Sequence, residues 1–384
     1  MTATSSWAVL CIACLPFFYY ILVLYSSWRF FRRRLDRDES PQLFSPPVSI
    51  LKPVRGCDSD AYENFASFCT QDYPEYEIVF CVGSQEDEIV PVLDQLKHDF
   101  PQIQIRVLFG SLRVATNDKV AKLARLSEEA KYEYLVISDS DVRVRPDYLR
   151  SLIAPLANPK VGAVTCLYVS AGEKTFVDKL QSIGMISDFY PGLFVARELD
   201  GVKFALGPSI ATTRTHLNQF GGYEKIKNQP ADDLLVGRLI AEEGYRVELS
   251  PYSIETVADY QSLSEFVHKR MRWLVVMRHM RPKGHFGLVF TQALPWLLPA
   301  VAAHPTLTTG LSLSLTYLAF RLATVWLVGV WGLKTPLWRL MPLVVLWDLV
   351  AFCLWIASFG RNTVRWRGGD YYIRDGNLIP ATTR

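Results

Sequence analysis

Strand-like and helical segments alternate between residues 48 and 258 and predict an α/β domain built on a doubly wound, mostly parallel sheet. Three observations carry this. Short apolar runs such as YLVIS (134–138) have the length and bounds of strands buried on both faces. Polar and charged residues collect just after those runs, at the strand ends where open α/β sheets bind ligands. Long uncharged stretches flank the block on both sides, so membrane helices are expected at both ends of the domain.

Trp7–Trp28 is long enough to span a bilayer and carries aromatic residues at its ends. Its basic residues follow it (Arg29, Arg32, Arg33, Arg34), the reverse of a cleavable signal peptide. We read residues 1–30 as an uncleaved anchor with the following chain in the cytoplasm. Residues 31–47 are polar and Pro-rich, a linker. The domain proper, 48–258, then reads as strand 48–54, helix 60–70, strand 76–82, helix 88–98, strand 103–109, helix 118–128 and strand 134–138. Later strands are expected at 161–168, 204–214 and 245–252, with a helix at 231–243. The 171–200 stretch is mixed and suits an interfacial helix near Phe189 and Tyr190. Residues 259–284 hold Lys269, Arg270, Arg272 and Arg278 among Phe266, Met271 and Trp273, a composition suited to a helix on an anionic membrane surface. Membrane segments fill 285–360. Leu311–Leu333 and Leu337–Phe359 can each span, while Phe286–Ala303, with Pro295 and Pro299, reads as a span, a kinked span or a re-entrant piece. Two spans plus a re-entrant piece place the basic tail 361–384 in the cytoplasm. Arg321 and Asp348 fall near the middles of their spans, where a mutual pair or a wet cavity would accommodate them.

The 384 residues suffice for one catalytic domain plus membrane elements, and the net charge of +3 gives no sign of a nucleic-acid partner. The seven cysteines form no disulfide framework, and Cys11–Cys14 lies inside an apolar run where zinc has no second ligand pair.

The candidate site follows the strand ends. Asp139 and Asp141 end the strand 134–138, and an Asp-x-Asp there can hold a hard divalent ion, or be a solvated turn. Lys52 closes the first strand, and Glu86 and Asp87 follow the second, in reach of a base or ribose. Asn117 and Lys119 open the helix at 118, where Lys119 is a point charge for phosphate. Asp232 and Asp233 open the helix at 231. Arg270, Arg272 and Trp273 offer phosphate clamps and a flat aromatic face. Each alone is an ordinary cap or surface charge. Together they suit transfer of a sugar from a nucleotide diphosphate, with a cation and Lys119 stabilising the leaving diphosphate and Asp233 as general base for direct displacement with inversion.

The succession KPVRGCD, Glu86–Asp87, ATNDKVAKL, ISDSDVRVRP, GPSIATTR, ADDLLVGRLIAEEGYRVELSP and KRMRW resembles the ceramide glucosyltransferase family over about residues 45–285. YENFASFCTQDYPEYEI and ISDSDVRVRPDYL also look like bacterial relatives that glycosylate hopanoid lipids. The resemblance implies a nucleotide-diphospho-sugar transferase domain. It places Glu86–Asp87 at the first acidic motif (nucleotide), Asp139 and Asp141 at the second (diphosphate and metal), Asp233 at the third (base), and Arg272–Trp273 in the closing motif. Ser84 stands where an added acidic residue is usual, Tyr190 where a His is expected, and Lys269 where Gln or Arg is expected. The expected activity is transfer of one hexose from UDP-glucose or UDP-N-acetylglucosamine to a ceramide-like or hopanoid lipid, with Mg2+ or Mn2+, by an integral membrane protein (of the inner membrane if bacterial). A processive polysaccharide synthase and a non-catalytic lipid- or nucleotide-sugar-binding subunit are the rival readings.

Overall fold

The structure is a computed structural model that describes residues 3–35, 44–111, 115–257, 262–366 and 369–381. In chain order it holds α1 (Ala3–Leu35), β1 (Val48–Pro53), α2 (Ala61–Cys69), β2 (Tyr76–Val82), α3 (Val90–Asp99), β3 (Gln104–Phe109), α4 (Asp118–Glu129), β4 (Tyr134–Ser138) and β5 (Val142–Arg143). Then come α5 (Tyr148–Ile153), β6 (Val161–Ser170), α6 (Phe176–Gly184), a π-helical turn Met185–Phe189, α7 (Tyr190–Asp200), β7 (Ser209–Thr213), α8 (Arg214–Gln219), α9 (Asp232–Glu242) and β8 (Arg246–Thr256). The last part is α10 (Leu263–Met280), α11 (Pro282–Gly287), α12 (Leu294–Ala303), α13 (Leu307–Val325), α14 (Val344–Phe359), β9 (Thr363–Trp366), β10 (Gly369–Arg374) and β11 (Asn377–Pro380).

Strands β1–β8 form one sheet in the order β3-β2-β1-β4-β7-β6-β8-β5. The first four are mutually parallel, and β1 is buried along its whole length, as a central strand covered on both faces must be. Each Val, Leu or Ile so buried contributes about 1.5–3 kcal/mol. The second half is mixed, because β7 runs antiparallel to both β4 and β6. The run expected as a strand from 204 enters the sheet only at Ser209. Residues 204–206 cross α9 instead, so closely that a Cβ on Gly237 would fall 2.2 Å from the Phe204 carbonyl carbon. Thr165 Oγ1 secures that crossing by accepting from Leu206 N at 2.9 Å.

Three helices, Trp7–Arg32, Leu307–Gly332 and Leu337–Phe359, are long and apolar enough to cross a membrane. The segments Pro282–Thr291 and Leu294–Ala303 meet at 55°, a broken span or a re-entrant loop. Arg321 and Asp348 pair with each other: Nε to Oδ2 is 2.9 Å and Nη2 to Oδ1 is 2.5 Å. Helix α1 continues to Leu35, and residues 36–43 of the expected linker lie outside the described residues.

Two elements differ from the sequence expectation. The 171–200 stretch is one long helical run whose centre, Tyr190, is buried rather than interfacial. The tail is a three-stranded antiparallel sheet, closed at Asp375–Gly376 with φ of 50° and 79°, the two-residue hairpin turn that Asp-Gly favours. Val364, Ile373 and Leu378 of this sheet pack on Met271, Val275 and Val276 of α10.

Candidate active site

The strand ends and helix starts converge on one cavity of about 1260 Å³. Lys119, Asp139, Asp141, Asp232, Asp233, Arg270, Arg272 and Trp273 all line it. Lys119 is placed by the cap of α4, where the Asn117 side chain accepts from Val120 N at 3.4 Å. From that first turn its ammonium lies 2.7 Å from Asp139 Oδ1 and 3.3 Å from Asp232 Oδ2. Burial lowers the Lys119 pKa, but Asp139, Asp232 and Asp233 together outweigh it, so the ammonium stays charged.

Asp233 sits in the first turn of α9, and its Oδ1 accepts from Leu234 N at 2.8 Å. Its other oxygen lies against Gly207, where a Cβ would stand 2.9 Å from Oδ2. The glycine therefore makes room for this carboxylate. Burial first, then the neighbouring Asp232 charge, push the Asp233 carboxyl up to about 6, against the pull of Lys119. Asp141 is raised to about 6 in the same way, by burial and then by Asp139, with Lys269 opposing. A carboxylate that deprotonates near neutral pH is suited to accept a proton.

Asp139 and Asp141 offer oxygen donors on the cavity wall, and no group of three or more His, Cys, Asp or Glu side chains gathers among the described residues. A cation there would take two protein carboxylates and complete its shell with phosphate and water oxygens, as small hard divalent ions do. The donor set fits that use. The Lys119 contact to Asp139 shows that the site already attracts positive charge.

Four expected residues stand outside the cavity lining. Lys52 is fully buried behind it, donating to Ser138 Oγ at 3.2 Å and to the Asp139 carbonyl at 2.9 Å, with its ammonium 3.6 Å from the Phe68 ring centre. Burial lowers its pKa to about 7, against the pull of Asp139 and Asp141. Asn117 is spent on the α4 cap and on Gln229 O at 3.0 Å, a brace to the loop before Asp232. Asp87 accepts from Gly56 N at 3.2 Å and so joins the ends of β1 and β2. Glu86 is exposed at the same edge.

On α10, Arg270 is buried with its guanidinium carbon 5.0 Å from the Trp273 ring centre and 4.7 Å from that of Trp347. Trp273 faces Phe189 at 6.1 Å between ring centres. Tyr190 donates its hydroxyl proton to the Tyr168 carbonyl and accepts from Tyr168 N at 3.2 Å, which fixes the start of α7 to β6. The sequence reading missed Gly207 as the neighbour of the base and missed Asp58, which lines the cavity and accepts from Ser140 Oγ at 2.7 Å. The KPVRGCD motif contained Asp58, but only the fold brings it beside Ser140. Away from the aspartates the cavity lining turns apolar, with Leu193 of α7, Leu337, and Trp347, Leu354 and Trp355 of α14.

The sequence pattern of glycosyl transferase family 21 matches residues 8–379. Similar curated proteins include ceramide glucosyltransferase 1 of Caenorhabditis elegans, 28% identical over 251 residues covering 65% of this chain and 53% of the relative. Ceramide glucosyltransferase 3 of the same organism is 26% identical over 270 residues, covering 70% of this chain and 58% of the relative. The chain thus spans just over half the length of these relatives. A mannosyltransferase from Pyrobaculum calidifontis, solved in complex with GDP-Man and Mn2+, shares the fold at a TM-score of 0.57 and 20% identity, over 90% of this chain and 98% of that one.

Proposed function

The chain belongs to glycosyl transferase family 21, and from that premise we propose that it transfers a single hexose from a UDP-sugar to the hydroxyl of a membrane lipid, with inversion. One observation carries this reading: a single cavity joins the Lys119-bridged aspartates and Asp233 to an apolar wall supplied by the membrane helix α14. The polar end suits a nucleotide diphosphate and the apolar end suits an acyl or polycyclic chain. The curated relatives are named ceramide glucosyltransferases, which supports a ceramide-like acceptor and UDP-glucose. Tyr190, in place of an expected His, keeps a hopanoid acceptor with UDP-N-acetylglucosamine as the second reading.

In this mechanism Asp233 takes the proton from the acceptor hydroxyl as that oxygen attacks the anomeric carbon from the face opposite the leaving diphosphate. Lys119 neutralises charge that builds on the diphosphate, and Arg272 is the second cation on the cavity wall. Asp139 and Asp141 would hold Mg2+ or Mn2+, which when bound offsets the charge of the donor phosphates. Lys52 anchors the Asp139 backbone from behind. Trp273 and Phe189 form a flat wall for the sugar or the lipid head.

Orientation follows from α1. Its basic end carries Arg29, which pairs with Glu198 of α7, so the positive flank of the anchor meets the catalytic domain. By the positive-inside rule that domain is cytoplasmic.

Lipid mass spectrometry on a host expressing the protein, given ceramide and a hydroxylated hopanoid in parallel, tests the proposal. A single-hexose product on ceramide, absent with Asp233→Asn, supports the first reading. A hexosamine product on the hopanoid alone supports the second. Polymer, or a product that persists in the variant, rejects both.

A further inference from the structure

One wall of the cavity is a single helical run, α6 passing through the π-turn into α7. Gln181, Met185, Asp188, Phe189 and Leu193 along it all line the cavity. Gln181 is only 7% exposed, and its Oε1 has no hydrogen-bond partner. A buried carbonyl oxygen left without a donor is costly and uncommon. On a cavity wall, such an atom is placed for a ligand that brings the donor. Asp188 stands two turns further along the same helix and adds a second acceptor group to the wall.

The backbone that presents Asp188 is itself held by the membrane spans. The π-turn leaves the Ser187 carbonyl to accept from Arg321 Nη1 at 2.6 Å, and Arg321 is gripped by Asp348. Tyr317 donates to the same Asp348 at 2.7 Å. Single π-turns of this kind cluster at functional sites. The α13–α14 ion pair thus fixes the turn that carries Asp188 and Phe189 to the cavity, where the lining passes from polar to apolar.

We infer that Gln181, with Asp188, reads the head group of the lipid acceptor: an uncharged head that carries a hydrogen-bond donor, an amide N–H or a second hydroxyl, besides the hydroxyl that receives the sugar. This rests on the lipid-acceptor reading above. Gln181 binds and orients the acceptor and takes no part in proton or sugar transfer.

The test uses the full-length protein in lipid nanodiscs with two acceptor pairs: ceramide and N-methylated ceramide, and a polyhydroxylated hopanoid with the analogue lacking the hydroxyl next to the accepting one. The unaltered protein should prefer the intact member of the pair it uses by roughly 10-fold or more in kcat/KM, as sites built to hydrogen-bond a group do. Gln181→Leu should erase that preference while the donor KM stays within about 2-fold, and Gln181→Glu, which keeps an acceptor oxygen, should retain it. If Gln181→Leu keeps the preference, or if both variants lose activity equally on both members of the pair, the inference is overturned and the lipid-acceptor reading stands. If the unaltered protein glycosylates neither pair, the lipid-acceptor reading fails and the inference falls with it.

Discussion

Lys119 and Asp139, which stand on α4 and at the end of β4, meet at 2.7 Å, and the same ammonium reaches Asp232 at 3.3 Å. One cation therefore ties the second acidic motif to the third. With donor bound, diphosphate oxygens compete for that ammonium. Replacing Lys119 with Met should lower kcat by about 10²–10³-fold, the usual loss when one preorganised charge-stabilising donor is removed. Steady-state kinetics with the lipid acceptor saturating would show it. An unchanged kcat would place Lys119 outside the chemistry.

The raised pKa of Asp233 sets a pH dependence. A general base works deprotonated, so activity should fall as pH drops through about 6 and level off above it. Asp232→Asn removes the second-largest contribution to the rise, and the acid limb of kcat/KM should then move to lower pH. A limb near the ordinary carboxylate range in the unaltered protein would speak against Asp233 as the buried base.

Gly207→Ala places a methyl 2.9 Å from the position of Asp233 Oδ2. The carboxylate can swing aside, so folding should be retained, with a melting temperature within about 3 °C of the parent. The base is displaced, and a misplacement of this size should lower kcat by about 10²-fold. A kcat within 2-fold of the parent would show that the present rotamer of Asp233 is not the working one.

The Arg321–Asp348 pair is buried between α13 and α14. Removing one member leaves an uncompensated buried charge, which costs about 3–5 kcal/mol, whereas an apolar replacement of both costs far less. Thermal unfolding in detergent should rank Arg321→Leu below the double variant Arg321→Leu with Asp348→Leu. The reverse order would mean that the two charges are solvated separately.

These predictions draw unequally on what the sequence discloses. β1, β2 and β4 are legible because burial on both faces writes a continuous apolar run, and the helix starts at Asp118 and Asp232 are legible because capping and charge cluster there. Lys52 is misplaced by sequence because a lysine at a strand end reads as exposed; only the packed Phe68 ring and the Asp139 carbonyl reveal it as buried. The π-turn at Met185–Phe189 has no sequence signature, since the Ser187 carbonyl that it frees is satisfied by Arg321 from a distant span. The tail sheet did carry a signal, Asp375–Gly376 between alternating residues, which the basic composition of the segment obscured.

That tail also bears on the site. Leu378 N donates to Asn228 O at 2.7 Å in the loop ahead of Asp232, and the sheet covers the apolar face of α10. Ile373→Ser should loosen both supports, lowering kcat several-fold while the donor KM rises. Hydrogen exchange over residues 228–233 and 269–276 should quicken in parallel. Unchanged exchange there would confine the role of the sheet to its own stability.

The most direct test of the central claim is the anomeric configuration of the product. Purified protein in nanodiscs, supplied with UDP-glucose and ceramide, should yield one glucose per lipid with its anomeric centre inverted relative to the donor by proton NMR, and Asp233→Asn should yield none. A retained configuration, a polymer, or undiminished product from Asp233→Asn would contradict direct displacement with Asp233 as the base.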